Sequence, residues 1–286
     1  MTDTDFLKEN AAYYDRNAYR YEAASWYYFN RYKNDMVRRE LATCLGALRQ
    51  RDALHILEIG PGTGYLLERL LPHNPPPIYF SGIEHSAAMR DILTERYAGQ
   101  CASFEVAIDS VSAGQLRELG RSGEFDLVMG SSILHHLPDY KEVVPLLGDK
   151  LAPGGVMYLV REPILRAEVV EAGTLKNILE VLYNRVAHFY MKPSIRARLW
   201  PGKVKAEDAR PIAIHMFKDG VSTQPFQQLI ADQHYQKLFH RKYNRRPSAF
   251  FSYVENEWLK GLRKDIYGNT LFAMGVQKPN KEALSS

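Results

Sequence analysis

Cysteine is scarce. The 286-residue chain has only Cys44 and Cys101, too few for a disulfide framework and without metal-ligand spacing. A disulfide-built secreted scaffold and a zinc module are therefore excluded, no metal is expected, and a reducing compartment is indicated. No apolar run approaches the ~20 residues of a membrane span. The first ten residues, MTDTDFLKEN, are acidic and polar and lack the apolar core of a signal peptide. Internal repeats and low-complexity segments are absent as well. What remains is ordinary globular composition, 45% apolar and 24% charged, which argues against bulk disorder. At ~100–200 residues per domain, the length suits one elaborated domain. The expectation is a soluble, cytoplasmic protein.

Charge is unevenly spread. The net of +4 combines residues 51–160, with 8 Lys and Arg against 14 Asp and Glu, and residues 161–286, with 21 against 12. The acidic middle and basic C-terminal part suggest either an anionic partner or a solvated basic face.

Residues 1–50 read as helices: Met36, Val37, Leu41, Leu45 and Leu48 recur at spacings of three and four. Before them lie nine aromatics between Tyr13 and Tyr32, too dense for a plain linker. From residue 54 short apolar runs alternate with helical stretches. The runs are 54–60, 78–84, 102–108, 125–131 and 155–162, with helices expected near 64–71, 86–98, 112–120 and 139–151. This alternation predicts βαβ units and a parallel sheet. Residues 163–217 break the rhythm with a helical stretch and a basic loop. A helix near 222–233, strands at 234–244 and 270–277, and an inserted helix at 250–266 follow.

The sharpest motif is LEIGPGTG at 57–64, a glycine turn between an apolar strand and a helix. Gly60, Gly62 and Gly64 permit a tight turn and close backbone approach, and the following helix offers N–H donors. Glu84 stands twenty residues after Gly64, at the end of the second run, where a carboxylate accepts from ribose hydroxyls. Together they indicate a nucleoside-bearing cofactor. A dinucleotide fingerprint would place its third glycine where this chain has Tyr65.

The chain resembles the class I S-adenosylmethionine-dependent methyltransferases, in particular the small-molecule group that includes the ubiquinone-biosynthesis type. The resemblance rests on LEIGPGTG, the GIE at 82–84, AIDS at 107–110, FDLVMGSSILHHLPD at 125–139 and LAPGGVMYLV at 151–160. It implies an α/β, Rossmann-like, seven-stranded and mostly parallel sheet with helices on both faces. An N-terminal helical lid (1–50) would precede the cofactor core (51–162). A helical and basic acceptor-covering insert (163–217) and a C-terminal completion of the sheet (218–286) would follow. The implied cofactor is S-adenosyl-L-methionine, with S-adenosyl-L-homocysteine as product. Gly60, Pro61, Gly62 and Gly64 would line its methionine part, with Glu58 near the amino group. Glu84 would bind the ribose, His85 and Met89 would flank the adenine, and Ile108, Asp109 and Ser110 would meet its edge. Gly130 and Ser131 would lie beside the sulfonium.

Methyl transfer to a high-pKa oxygen calls for a general base. The resemblance favours His135 over His136 in that role, working with a lid tyrosine, Tyr14, Tyr19 or Tyr21, although a histidine in HHLPD also serves to order the cofactor pocket. Glu162, at the end of the fifth strand, is a second candidate for a base or a cation anchor. Its alternative is a salt bridge with Arg161 or Arg166. Tyr14, Tyr21, Trp26 and His136 are expected at the acceptor. Arg196 and Arg198, within the basic stretch 192–210, are candidates for holding an anionic acceptor. Where base-modifying enzymes carry an Asn/Asp-Pro-Pro-Tyr motif this chain has Gly130-Ser131-Ser132-Ile133, so a small, anionic or aromatic molecule is expected rather than nucleic acid. A monomer and a homodimer both remain open. The rival readings are a cofactor-binding protein of this fold that catalyses cyclisation or elimination, and one without turnover.

Overall fold

A computed structural model of the chain describes residues 3–24, 31–119, 122–165, 220–243 and 271–280. Its apolar runs form the strands β1 (Leu54–Ile59), β2 (Ile78–Glu84), β3 (Ser103–Ile108), β4 (Phe125–Ser131), β5 (Leu151–Pro163), β6 (Gln236–Tyr243) and β7 (Leu271–Gln277). They lie in one seven-stranded sheet of order β3-β2-β1-β4-β5-β7-β6. The pairs among β1 to β5 are parallel, and β7 runs antiparallel to both β5 and β6. The chain starts at the centre with β1, steps out to β3 and returns to β4. That reversal opens a crevice at the carboxyl ends of β1 and β4, where α/β sheets bind ligands.

The helices are α1 (Asp3–Asn17), α2 (Tyr21–Ala24), α3 (Arg31–Ala47), α4 (Tyr65–Leu70), α5 (Ala87–Tyr97), α6 (Ala113–Glu118), α7 (Tyr140–Lys150) and α8 (Gln224–Asp232). Two start at serine caps: Ser86 Oγ accepts from Met89 N and Ser112 Oγ from Gln115 N, each at 3.2 Å. The sheet is buried on both faces, as its continuous apolar strands require. On one side Leu57, Ile59, Val128, Met157 and Leu159 meet Val143, Val144 and Leu147 of α7 and Phe226 and Leu229 of α8. On the other, Leu54, Ile56, Met129, Tyr158 and Val160 meet Val37 and Leu41 of α3 and Leu66, Leu67 and Leu70 of α4.

β5 begins four residues earlier than the apolar pattern predicts. Leu151 pairs with Phe125 and Val156 with Leu127, so the intervening Pro-Gly-Gly is a bulge within the strand rather than a turn before it. A Cβ on Gly155 would sit 2.8 Å from Ala152 O and 2.9 Å from Phe125 O, which is why glycine is needed there. Almost all of the expected insert at 163–217 and the expected helix at 250–266 lie outside the described residues, as do Trp26, Arg196 and Arg198. Among the described residues no helix is long and apolar enough to cross a membrane. None of their His, Cys, Asp and Glu side chains cluster as metal ligands.

One buried acid couples this core to pH. Glu40 of α3 accepts from Tyr158 Oη at 2.8 Å, and Arg241 Nε of β6 lies 3.0 Å from its other oxygen. Burial outweighs both partners and pushes its carboxyl up from 4.5 to about 7. The folded state therefore holds this proton more tightly than the unfolded chain does. The associated stability is complete below pH 4.5 and is lost as pH rises to about 7. By the usual conversion it amounts to about 3 kcal/mol. Denaturant titrations of wild type should show that decline, and Glu40→Gln should flatten it. An equal slope in both proteins would remove Glu40 from the account.

Candidate active site

The crevice is built first by the glycine turn after β1. Gly60, Gly62 and Gly64 have φ of +59°, +58° and +96°, a region that side chains rarely adopt. They answer to different demands. A Cβ on Gly60 would lie 2.7 Å from Ile133 Cδ1, and one on Gly64 would run into the Tyr97 ring. A Cβ on Gly62 would meet nothing within 4 Å, so this stretch of backbone faces open space. Glu84 fastens the turn from the neighbouring strand. Its carboxylate accepts from Gly62 N and Ser86 N, both at 2.9 Å, and His85 Nδ1 lies 3.3 Å away. Burial still raises this carboxyl above its ordinary range, against the opposing effects of His85 and the two amides.

Beneath the turn Glu58 projects from β1, only 1% exposed. Burial, and then the charge of Glu84, push its carboxyl well above the usual carboxylate range. Its Oε2 has no hydrogen-bond partner, and neither do His85 Nε2 and Ser131 Oγ. All three residues line the same pocket. Buried polar atoms are nearly always satisfied, so three on one wall describe the complement of a polar ligand.

Of the residues singled out from sequence, Glu58, Gly60, Pro61, Gly62, Glu84, His85, Met89 and Ser131 line this pocket, with Tyr14, Tyr21 and His136. Gly64 and Gly130 sit behind it. A Cβ on Gly130 would be 2.8 Å from Ile59 Cγ1 and 3.0 Å from Leu159 Cδ2, so this glycine serves strand packing. Ile108 pairs with Glu84 across the sheet, and Asp109 N donates to Glu84 O at 3.3 Å. Asp109 thus stands beside Glu84 at the end of β3, and Ser110 N donates to its Oδ1 at 2.6 Å. Tyr19 is 85% exposed and apart from the pocket. The wall also contains Thr63, Tyr65, Ser132, Ile133 and Arg161, which the motifs did not single out.

The two histidines part ways in the 3-10 turn 134–136 that follows β4. His135 Nδ1 lies 2.9 Å from Glu162 Oε2. The same carboxylate accepts from Ile133 N at 2.7 Å, Leu134 N at 3.0 Å and His135 N at 3.4 Å. Fully buried Glu162 is therefore occupied in anchoring this turn. His136 faces the pocket instead, with Nε2 3.5 Å from Tyr14 Oη and Nδ1 3.4 Å from Asn10 Nδ2. Tyr14 also packs edge-on against His85, with centroids 5.4 Å apart. Burial, with the nearby Tyr21, Glu84 and Tyr13, pushes its phenol well above the ordinary tyrosine value.

The N-terminal helices are tied across this edge by side-chain bonds. Asp15 Oδ1 accepts from Ser86 Oγ at 2.7 Å and from Ala88 N at 3.1 Å. Glu22 Oε1 accepts from Thr63 Oγ1 of the glycine turn at 2.8 Å and pairs with Arg96. Ala18, Tyr14 and Tyr21 pack on Met89 and Ile92 of α5. The aromatic N-terminus is thereby held over the crevice.

Residues 57–157 match a protein family described as a methyltransferase domain. An uncharacterized protein of Synechococcus sp. is 32% identical over 129 residues, 45% of this chain; the chain spans only 30% of that protein's length. The crystal structure of a candidate sarcosine dimethylglycine methyltransferase from Galdieria sulphuraria superposes with a TM-score of 0.51 at 16% identity, covering 86% of this chain and 85% of that one. The second likeness is one of fold. The matched residues run from within β1 to within β5 of the seven-stranded sheet, which has the α/β, Rossmann-like methyltransferase fold.

Proposed function

We propose that the protein transfers a methyl group from S-adenosyl-L-methionine to a small-molecule acceptor, releasing S-adenosyl-L-homocysteine. The observation that carries this reading is the partnerless, buried carboxyl of Glu58 beside a glycine turn fastened by Glu84, in one pocket with His136 and Tyr14. These residues fit the cofactor. Glu58 would take the ammonium of its methionine part, which passes the open backbone at Gly62. Glu84 would take the ribose, and His85 with Met89 the base. When bound, the cofactor supplies an electrophilic methyl group on sulfur.

The chain's own residues then position the acceptor and move its proton. His136 is the pocket-facing base. Tyr14 stays protonated because burial raises its phenol, and so presents a donor. The Asn10 amide beside His136 Nδ1 would set the tautomer: with Nδ2 at 3.4 Å it favours the proton on Nε2, and after a half-turn its partnerless Oδ1 would accept from Nδ1–H. The base role requires the second orientation. Nε2 is then left as the proton acceptor. Positioning and proton removal together are sufficient for a methyl displacement. Tyr14 and Tyr21 give the acceptor aromatic walls, and Arg196 and Arg198 are proposed to favour an anionic one.

Calorimetry with S-adenosyl-L-homocysteine, then incubation with methyl-labelled cofactor and a metabolite extract, tests the proposal. Binding and a labelled small product support it. Absence of binding overturns it, and turnover of a compound without label release turns it toward non-methylating chemistry. Glu58→Gln is expected to weaken S-adenosyl-L-homocysteine by about 10- to 100-fold, the value of a charged hydrogen bond. An ammonium favours the ionised form of this raised carboxyl, so wild type should release protons on binding at pH values where the free carboxyl is still partly protonated. Calorimetry in buffers of different ionisation enthalpy should detect that release in wild type and miss it in Glu58→Gln.

A further inference from the structure

A salt bridge to Arg161 was the alternative role of Glu162, yet its carboxylate turns to residues 133–135 and not to this neighbour. The pairing of β5 with β7 slips between Val160, opposite Ala273, and Glu162, opposite Phe272, so that Arg161 is the extra residue of a β-bulge. Its φ is +66°, a conformation that a residue with a Cβ adopts rarely and that concentrates at ligand sites. Bulges re-aim side chains beside active sites. Here the bulge carries Arg161 into the wall of the cofactor pocket, 5% exposed, with its guanidinium carbon 4.6 Å from the centroid of the Tyr65 ring. Tyr65 opens α4 directly after the glycine turn, so the guanidinium stands near the pocket's backbone floor.

The charges of this wall are complementary to an amino acid. Glu58 on β1 is a buried carboxylate with an unpartnered oxygen, suited to an ammonium. Arg161 on β5 is a buried cation whose planar fork matches a carboxylate in two parallel hydrogen bonds. β4 lies between their strands, which separates the strand axes by about 10 Å. Both side chains enter the same pocket from strands two apart, so the ammonium and the adjoining carboxylate of one amino-acid tail can be met by the two together.

We infer that Arg161 is the carboxylate-binding residue of the pocket, taking the α-carboxylate of a ligand whose ammonium Glu58 takes. The inference rests on the cofactor reading above and adds a specificity to it. The pocket selects nucleosides that carry an intact amino-acid tail, and rejects the same nucleoside when the carboxylate is missing.

Three ligands separate the contacts: S-adenosyl-L-homocysteine, its decarboxylated analogue, which keeps the amine, and 5′-methylthioadenosine, which lacks both groups. Binding is read by calorimetry on wild type, Arg161→Met, Arg161→Lys and Glu58→Gln. Wild type should bind the decarboxylated analogue roughly 10- to 100-fold more weakly than S-adenosyl-L-homocysteine. Arg161→Met should lose that same factor for S-adenosyl-L-homocysteine, while its affinities for the other two ligands stay at wild-type values. Arg161→Lys, which keeps a cation without the fork, should fall between. Glu58→Gln should weaken both amine-bearing ligands and spare 5′-methylthioadenosine. Equal weakening of all three ligands by Arg161→Met and Arg161→Lys would reduce Arg161 to a packing role. Unchanged binding of S-adenosyl-L-homocysteine in both variants overturns the inference while leaving the cofactor reading intact. Failure of wild type to bind any of the three removes the cofactor reading and this inference with it.

Discussion

Glu162→Ala is expected to lower folding stability by about 3–5 kcal/mol, the largest single loss predicted for this chain. The carboxylate is fully buried and receives Ile133 N, Leu134 N, His135 N and His135 Nδ1. Alanine would leave these donors buried without an acceptor, each at about 1–3 kcal/mol before relaxation. Relaxation of the turn recovers part of that sum, which is why the expected total is well below it. Glu162→Gln keeps one acceptor oxygen for the amides of residues 133 and 134, but its NH2 faces His135, so a smaller loss of about 1–2 kcal/mol is expected. Urea titrations of the two variants decide the matter. A loss under about 1 kcal/mol for alanine would mean that the turn is held by packing rather than by this carboxylate.

The fold was accessible from periodicity because each strand of a parallel sheet is buried on both faces and reads as a short apolar run. β2 and β4 have the bounds that their runs suggested, and α5 and α6 start at serines that can cap. The entry to β5 was misread because Pro-Gly-Gly signals a turn equally well when it is a bulge inside a strand. At the pocket, the glycine turn and Glu84 were visible because their geometry is local: a strand, a tight turn and the end of the next strand. Glu162 stood out as a candidate, but its bonds to residues 133–135 were not legible, nor was the place of Arg161 in the pocket wall, since both depend on partners distant in sequence. Glu162 bonds to residues 27 to 29 positions away, and Arg161 owes its direction to a register slip against β7.

His135 and His136 illustrate the same boundary at the scale of one residue. In a 3-10 turn successive side chains are separated by about 120°, so adjacent histidines point to different surroundings. Sequence names the pair but cannot say which member meets Glu162 and which meets the pocket. The N-terminal tyrosines repeat the problem. Tyr14 and Tyr21 face inward while Tyr19, between them, is exposed, because helix α1 ends at Asn17 and the chain turns through residues 18–20.

That assignment of direction leads to the second large effect. His136→Ala should lower kcat by about 10²–10⁴-fold, the usual value of a positioned general base, while S-adenosyl-L-homocysteine affinity stays within about threefold. Tyr14→Phe, which removes the hydroxyl 3.5 Å from His136 Nε2 but keeps the ring against His85, should lose about 10-fold. The two effects should combine less than additively, because both act on one proton. A base also leaves a signature that packing does not: the acidic limb of the kcat profile should disappear in His136→Ala, and added imidazole should restore part of the rate. His135→Asn is the necessary contrast. Its ring is engaged with Glu162, so its loss should appear as lowered stability, with the acidic limb retained in whatever activity remains. If His135→Asn abolishes the limb and His136→Ala keeps it, the roles are reversed. The pocket-facing histidine would then serve the acceptor's binding, and its neighbour the proton.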